Sequence, residues 1–165
     1  MATHAASPQL EVEDYLYTER AQQTDWSIFM SKVVHADAQR ISQALTVPEY
    51  LEAWVCMPEQ QPGSVLIASE AENGFRLDHW RAGNVIASIS SSYLFCHLRK
   101  LRFAWKNASP RSDEGSVVDF RIRGNFGSSI LELSHTRLAS HEEYLWHRRL
   151  WQLSLDKLTC LLRSA

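Results

Sequence analysis

Residues 118–163 read VDFRIRGNFGSSILELSHTRLASHEEYLWHRRLWQLSLDKLTCLLR, and the fold turns on a change of period inside that stretch. Val118, Phe120 and Ile122 alternate with Asp119, Arg121 and Arg123, the two-residue period of a strand with one buried face. Gly124 to Gly127 offers a turn, after which Leu131, Leu133 and His135 alternate with Glu132 and Ser134, so this segment reads as a hairpin. From Ser140 the period lengthens. Trp151, Leu155, Leu158 and Leu162 recur at four, three and four residues, a helical stripe that Tyr144 and Leu145 extend. Glu142, Arg148, Arg149 and Lys157 take the wet side. Ser140 as N-cap, with Glu143 three residues on, predicts a helix over 142–163.

The same two periods order the chain upstream. Between Trp26 and Val34 the β-formers Ile28, Phe29, Val33 and Val34 predict a first strand. Asp37 then caps a short helix containing Ile41, Ala44 and Leu45, and Pro48 starts a second one carrying Leu51 and Trp54. Segments 75–80, 84–90, 93–99 and 101–106 are rich in β-branched and aromatic residues and read as an antiparallel meander. The sheet is expected to draw on residues 25–35 and 63–137. An antiparallel sheet and a long terminal helix must bury their apolar surfaces against each other. The expectation is therefore an α+β helix-grip fold: a curved antiparallel sheet of about six to seven strands around the C-terminal helix, with two short helices after strand one. Residues 1–23, polar and broken by Pro8, are expected to form an arm ahead of one domain over 24–165.

Composition narrows the function. With 165 residues, 45% hydrophobic and 22% charged, the chain reads as one soluble globular domain. The formal charge of -2, from 17 basic and 19 acidic residues, gives no field favouring nucleic acid or an anionic membrane. The longest apolar run, Ala53 to Met57, is far below the roughly 20 residues that cross a bilayer. Residues 1–10 carry no Lys or Arg, which predicts no secretory leader and a cytoplasmic location. Cys56, Cys96 and Cys160, an odd number without a CxxC pair, predict buried reduced thiols.

Residues 36–54, ADAQRISQALTVPEYLEAW, resemble the opening signature of the activator of heat-shock protein 90 ATPase homologue-like family, within the SRPBCC or START-like superfamily. Ala44, Leu45, Thr46, Pro48, Leu51 and Trp54 carry the likeness. Gly127 with Leu131, Leu133 and His135 resembles the family's penultimate strand, and Trp151, Leu155, Leu158 and Leu162 its final helix. There are departures: Asp37 stands for the usual proline, Leu150 for a glycine, and 56–71 lack paired glycines. The resemblance implies the helix-grip scaffold, a link to the stress response and a chaperone as partner. Family members share that scaffold and differ in function, so the site must carry the argument.

Most local motifs reduce to structure. His141 and His147 in HEEYLWH are six apart, about 240° around a helix, so they cannot share a metal as an HExxH pair does. Cys96 and His97 point to opposite faces of a strand. No metal and no cofactor are expected. Gly124 to Gly127 joins two strands and opens no helix, so it is a turn and not an anion-binding loop. Ser128 and Ser129 have no base beside them in sequence. Alternation turns Leu101, Phe103 and Trp105 inward and Arg102 and Lys106 outward, making Arg99, Lys100 and Arg102 part of a solvated sheet face.

The inward positions carry more aromatic bulk than a thin seam needs. Trp54, Phe75, His79, Phe103, Trp105, Phe120, Leu133, His135, Trp151 and Leu155 are the candidate lining of a cavity between sheet and helix. The first reading is a non-enzymatic protein that holds a small hydrophobic or aromatic ligand there, with His79 and His135 as its polar groups. The alternative is a protein-interaction module engaging a chaperone. A third is a cyclase- or hydrolase-like enzyme on the same fold. The chain is expected to act as a monomer or homodimer, without nucleic acid or membrane.

Overall fold

A computed structural model describes residues 26–107, 115–125 and 127–163. The arm expected over 1–23 lies outside the described residues. Strand β1 (Trp26–Val34) leads into helices α1 (Ala38–Thr46) and α2 (Pro48–Trp54). Six further strands follow: β2 (Ser64–Ala71), β3 (Gly74–Arg81), β4 (Asn84–His97), β5 (Lys100–Asn107), β6 (Ser116–Asn125) and β7 (Ser128–Leu138). Helix α3 (His141–Arg163) ends the described chain. The strands form one antiparallel sheet in the order β1-β7-β6-β5-β4-β3-β2, so β1 closes onto β7 and the meander runs out to β2.

The helix starts behave as their sequences demand. Asp37 accepts the Arg40 N–H at 2.9 Å, Pro48 occupies the first turn of α2, and Ser140 accepts the Glu143 N–H at 3.1 Å while the Glu143 carboxylate takes the Ala139 N–H. In β6 the alternation holds. Val118, Phe120 and Ile122 are buried, Arg121 and Arg123 are exposed, and Asp119 is half-covered by its ion pair with Arg102.

Three expectations need correction. The segments read as 84–90 and 93–99 are one strand, β4. Ser90, Ser91 and Ser92 look like a break, but the strand continues through them and bends at an irregularity between Tyr93 and Phe95. The close approach of β3 to this stretch requires glycine at position 74, where a Cβ would run into the Ser91 carbonyl. Strand β2 escaped individual reading because Val65 and Ile67 are exposed and Leu66 is its buried hydrophobe, leaving no inward alternation to detect. The cysteines are not buried: Cys56 is half-buried and Cys96 and Cys160 are exposed, the latter on the wet side of α3.

One continuous core forms where the inner face of the sheet meets α3 and the two short helices. It includes Ile41, Leu45, Leu51 and Trp54 from α1 and α2, Leu77, Phe103 and Leu131 from the sheet, and Leu150, Trp151, Leu155 and Leu158 from α3. Trp54 satisfies its buried N–H on the Ala44 carbonyl at 2.7 Å.

Candidate functional site

The ten positions singled out in sequence all point into the core, and the structure divides them. Trp54, Phe75, Phe103, Trp105, Phe120 and Trp151 surround one spot under α3, together with Leu45, Leu51, Val55 and Leu77. Their rings pack edge to face: Phe75 on Phe103 at 5.5 Å, Phe103 on Phe120 at 6.1 Å, and Phe120 on Trp151 at 5.7 Å between centroids. The space left among them is about 10 Å³, room for roughly one water, whereas small-molecule sites run to about 300 Å³ and more. Leu133 and Leu155 are buried elsewhere in the same core. His79 is 1% exposed on the inner face of β3, and neither ring nitrogen has a partner among the described residues. Burial, with Arg81 adding, lowers its pKa, and Glu59 opposes.

His135 belongs to a polar cluster that sequence reading found only in part. Trp151 donates its indole N–H to His135 Nδ1 at 3.0 Å, and His135 Nε2 lies 2.6 Å from Ser116 Oγ. Ser116 in turn donates to the Trp105 carbonyl at 3.2 Å. His147 stands against His135 with ring centroids 4.6 Å apart. It receives the Trp105 indole N–H on Nε2 at 3.2 Å and gives its Nδ1 proton to the Glu143 carbonyl at 2.8 Å. Both imidazoles are fully buried. Burial drives the pKa of His135 well below its ordinary 6.5, His147 adds to that, and burial lowers His147 against the opposing pull of Glu143.

The donors decide the chemistry. An indole N–H can only donate, so His135 accepts at Nδ1 and carries its proton on Nε2, facing Ser116. A histidine in that tautomer cannot take the serine proton, and its Nδ1 faces an indole where a triad would place a carboxylate. The Ser116–His135 contact is thus a structural hydrogen bond and gives no activated nucleophile.

Sequence reading passed over His147 and Ser116, although both sit on legible periods. His147 lies four residues before Trp151 on the α3 stripe, and Ser116 two before Val118 on the inward parity of β6. The HEEYLWH segment separates its two histidines: His141 is exposed beside Trp26 at 4.7 Å, far around the helix from buried His147. Among the described residues no cluster of His, Cys, Asp or Glu could hold a metal ion.

The outer face of the same sheet is different. An open groove of about 550 Å³ crosses β1, β7, β6 and β5. Register places two rows of side chains along it: Phe29, Ser134, Asp119 and Arg102 in one, Ser31, Glu132, Arg121 and Lys100 in the other. Arg102 is bound to Asp119 in a two-point contact at 2.7 and 3.3 Å, and Glu132 is taken by Arg123 at 3.4 Å. Arg121 has no ion-pair partner among the described residues, Lys100 lies 5.7 Å over the Phe95 ring, and Phe29 is 74% exposed. The solvated basic face read from sequence is present, and what the sequence did not show is that it is concave.

Residues 35–163 match the family model described as Activator of Hsp90 ATPase homolog 1-like protein. Among solved structures, a protein of Chromobacterium violaceum is 17% identical with a TM-score of 0.67, covering 83% of this chain and 96% of its own. The AHSA1 protein of Silicibacter pomeroyi is 16% identical with a TM-score of 0.65, covering 83% and 97%. The Aha1 dimer of Colwellia psychrerythraea is 17% identical with a TM-score of 0.59, covering 82% and 95%. At these identities the likeness shows the helix-grip fold alone. No curated protein matches the sequence. Among the described residues no helix is long and apolar enough to cross a membrane.

Proposed function

This chain belongs to the Activator of Hsp90 ATPase homolog 1-like family, and from that premise we propose that it is a non-enzymatic protein-interaction module that docks a chaperone ATPase of the Hsp90 class on the outer face of its sheet. The observation that supports this is the contrast in available space: about 550 Å³ in the outer groove against about 10 Å³ in the seam. The groove offers an exposed aromatic ring, Phe29, and two cations, Arg121 and Lys100, that lack carboxylate partners among the described residues. Aromatic and arginine side chains are what protein interfaces concentrate at their centres. An acidic segment of the chaperone is the complementary surface.

Titration of a purified Hsp90-class chaperone, with its ATPase rate followed in parallel, tests this. The unaltered chain is expected to bind, and Arg121→Glu with Lys100→Glu to weaken binding at least tenfold, more at low salt than at high. Binding that is absent, or indifferent to the charge reversal, contradicts the proposal.

One observation favours a second reading, a small apolar ligand with a polar group taken up between sheet and helix. His79 is a buried imidazole with both nitrogens unpartnered among the described residues, a state that costs about 1 to 3 kcal/mol unless something hydrogen-bonds to it. Such a ligand requires the seam to open, because the closed seam has no room for it.

A further inference from the structure

The cluster under the first half of α3 is wired so that it closes in one protonation state. Trp105 points its N–H at His147 Nε2 and Trp151 points its N–H at His135 Nδ1. Because an indole nitrogen never accepts, a second proton on either ring would set N–H against N–H. The remaining nitrogens are already committed, His147 Nδ1 to the Glu143 carbonyl and His135 Nε2 to Ser116. Protonating either ring therefore breaks an indole contact that joins α3 to β5 or β7, and with the rings 4.6 Å apart a charge on one opposes a charge on the other.

The groups that could soften this are few among the described residues. On α3 itself, Glu143 acts on His147, with its carboxylate turned to the Ala139 N–H. Beyond α2, Glu59 is held by the Trp146 indole at 2.8 Å and acts on His79, as does Arg81. The strands meet the pair with Ile28 and Val118, the register neighbours of His135, with Trp105 and Ser116, and with the Asn107 amide of β5, whose Nδ2 lies 3.4 Å from His147 Nε2; none of these is charged.

The second half of α3 is fastened without imidazoles. Leu155, Leu158 and Leu162 are buried, Ser154 accepts the Cys56 N–H at 2.8 Å, Asp156 pairs with Lys32 at 2.6 Å, and the Leu162 carbonyl takes Arg40 at 3.2 Å. The first half of the helix thus adds two titratable rings to its own fixed contacts, buried Leu150 and Trp151, the Trp146–Glu59 bond and the Trp26–Tyr144 ring contact, whereas the second half has no titratable imidazole among its fastenings.

We propose that His135 and His147 form an acid-operated latch: when both are protonated, the first half of α3 lifts from β5 and β7 while the second half stays docked, exposing the aromatic interior. Burial keeps both rings neutral in the closed seam, so protonation and opening are one event. What opens is the wall of Trp54, Phe75, Phe103 and Phe120, a surface fitted to a neutral apolar molecule. The latch stands apart from the outer groove and does not depend on the chaperone reading.

The test uses the full chain and Nile red, a neutral dye that the outer cations do not attract. As pH falls from 7.5 to 5, dye fluorescence should rise with a steepness approaching two protons, up to about a hundredfold in open population per pH unit. Amide exchange should rise over 141–151 and stay slow over 155–163. The double variant His135→Gln with His147→Gln, whose carboxamides accept from the indoles and do not titrate, should lose the response. Should that variant fail to fold, imidazole ¹⁵N spectra of the unaltered chain still decide: the latch requires the proton on Nε2 of His135 and on Nδ1 of His147 at pH 7.5. Absence of dye binding through pH 5, exchange rising along the whole of α3 at once, a response surviving in the folded double variant, or a charged or reversed imidazole in the closed state overturns it.

Discussion

The two faces of one sheet solve opposite problems with similar residues. Inside, Trp105 and Trp151 spend both their rings and their N–H groups on neighbours, and the polar atoms they meet are closed into chains that end on backbone carbonyls. Outside, Phe29 stands largely free, and Arg121 and Lys100 have no carboxylate partner among the described residues. Saturated contacts make a core and unsaturated ones make a surface for a partner. Under the docking proposal recognition falls on the outer face, where Phe29, Arg121 and Lys100 are exposed, while His79 is the unpartnered exception inside.

The contrast breaks most easily at Trp151. If the seam is a filled core, Trp151→Ala leaves a void next to Trp105 and Phe120 and should cost about 3 to 5 kcal/mol in urea unfolding. A loss well below that would mean that the indole faces space, and the inner face would become a pocket.

Acid should act on the inside next. His135 and His147 are both held below 6.5, so below that pH the unfolded chain binds more protons than the folded one and stability falls as pH drops. Each ring contributes at most about 1.4 kcal/mol per pH unit in the window beneath 6.5, and His79 acts in the same direction. Unfolding free energies at pH 7.5, 6.5 and 5.5 should show this slope, and a flat profile would contradict neutral buried imidazoles.

A smaller loss is expected where β3 meets β4. Gly74→Ala drives a methyl group into the Ser91 carbonyl and should cost about 1 to 3 kcal/mol through forced backbone movement. Outside, the effect on folding nearly vanishes: Arg121→Glu should change stability by less than about 0.5 kcal/mol while weakening the chaperone complex. A large stability loss there would show that the groove is part of the fold's own support.

How much of this was legible in sequence follows from the same division. Residues whose role is periodic were readable: the β6 alternation, the α3 stripe from Trp151 to Leu162, the caps at Asp37 and Ser140. Strand β2 was not, because its one deeply buried hydrophobe, Leu66, gives no period, and β4 was split because three serines carry no hydrophobic signal although Ser91 faces inward. The inward histidines were visible as parity, but the partner that gives His135 its meaning is His147, separated from it by the end of β7, a turn and about two turns of helix. Concavity is harder still: Asp119 and Arg121 alternate as on any solvated strand, and the groove exists only once pairing sets β1 with Phe29, β7, β6 and β5 side by side. The cysteines misled because an odd number without a CxxC pair argues for reduced thiols but not for burial, and Cys160 falls on the wet side of α3.

The most direct test of the two-faced account is an amide and indole NMR titration of the chain with an Hsp90-class chaperone at pH 7.5. The account predicts shifts at Phe29, Arg102, Arg121 and Ser134 on the outer face, with the hydrogen-bonded indole signals of Trp105 and Trp151 unmoved. Perturbation of those two indoles, with the outer residues silent, would place recognition in the seam and contradict it.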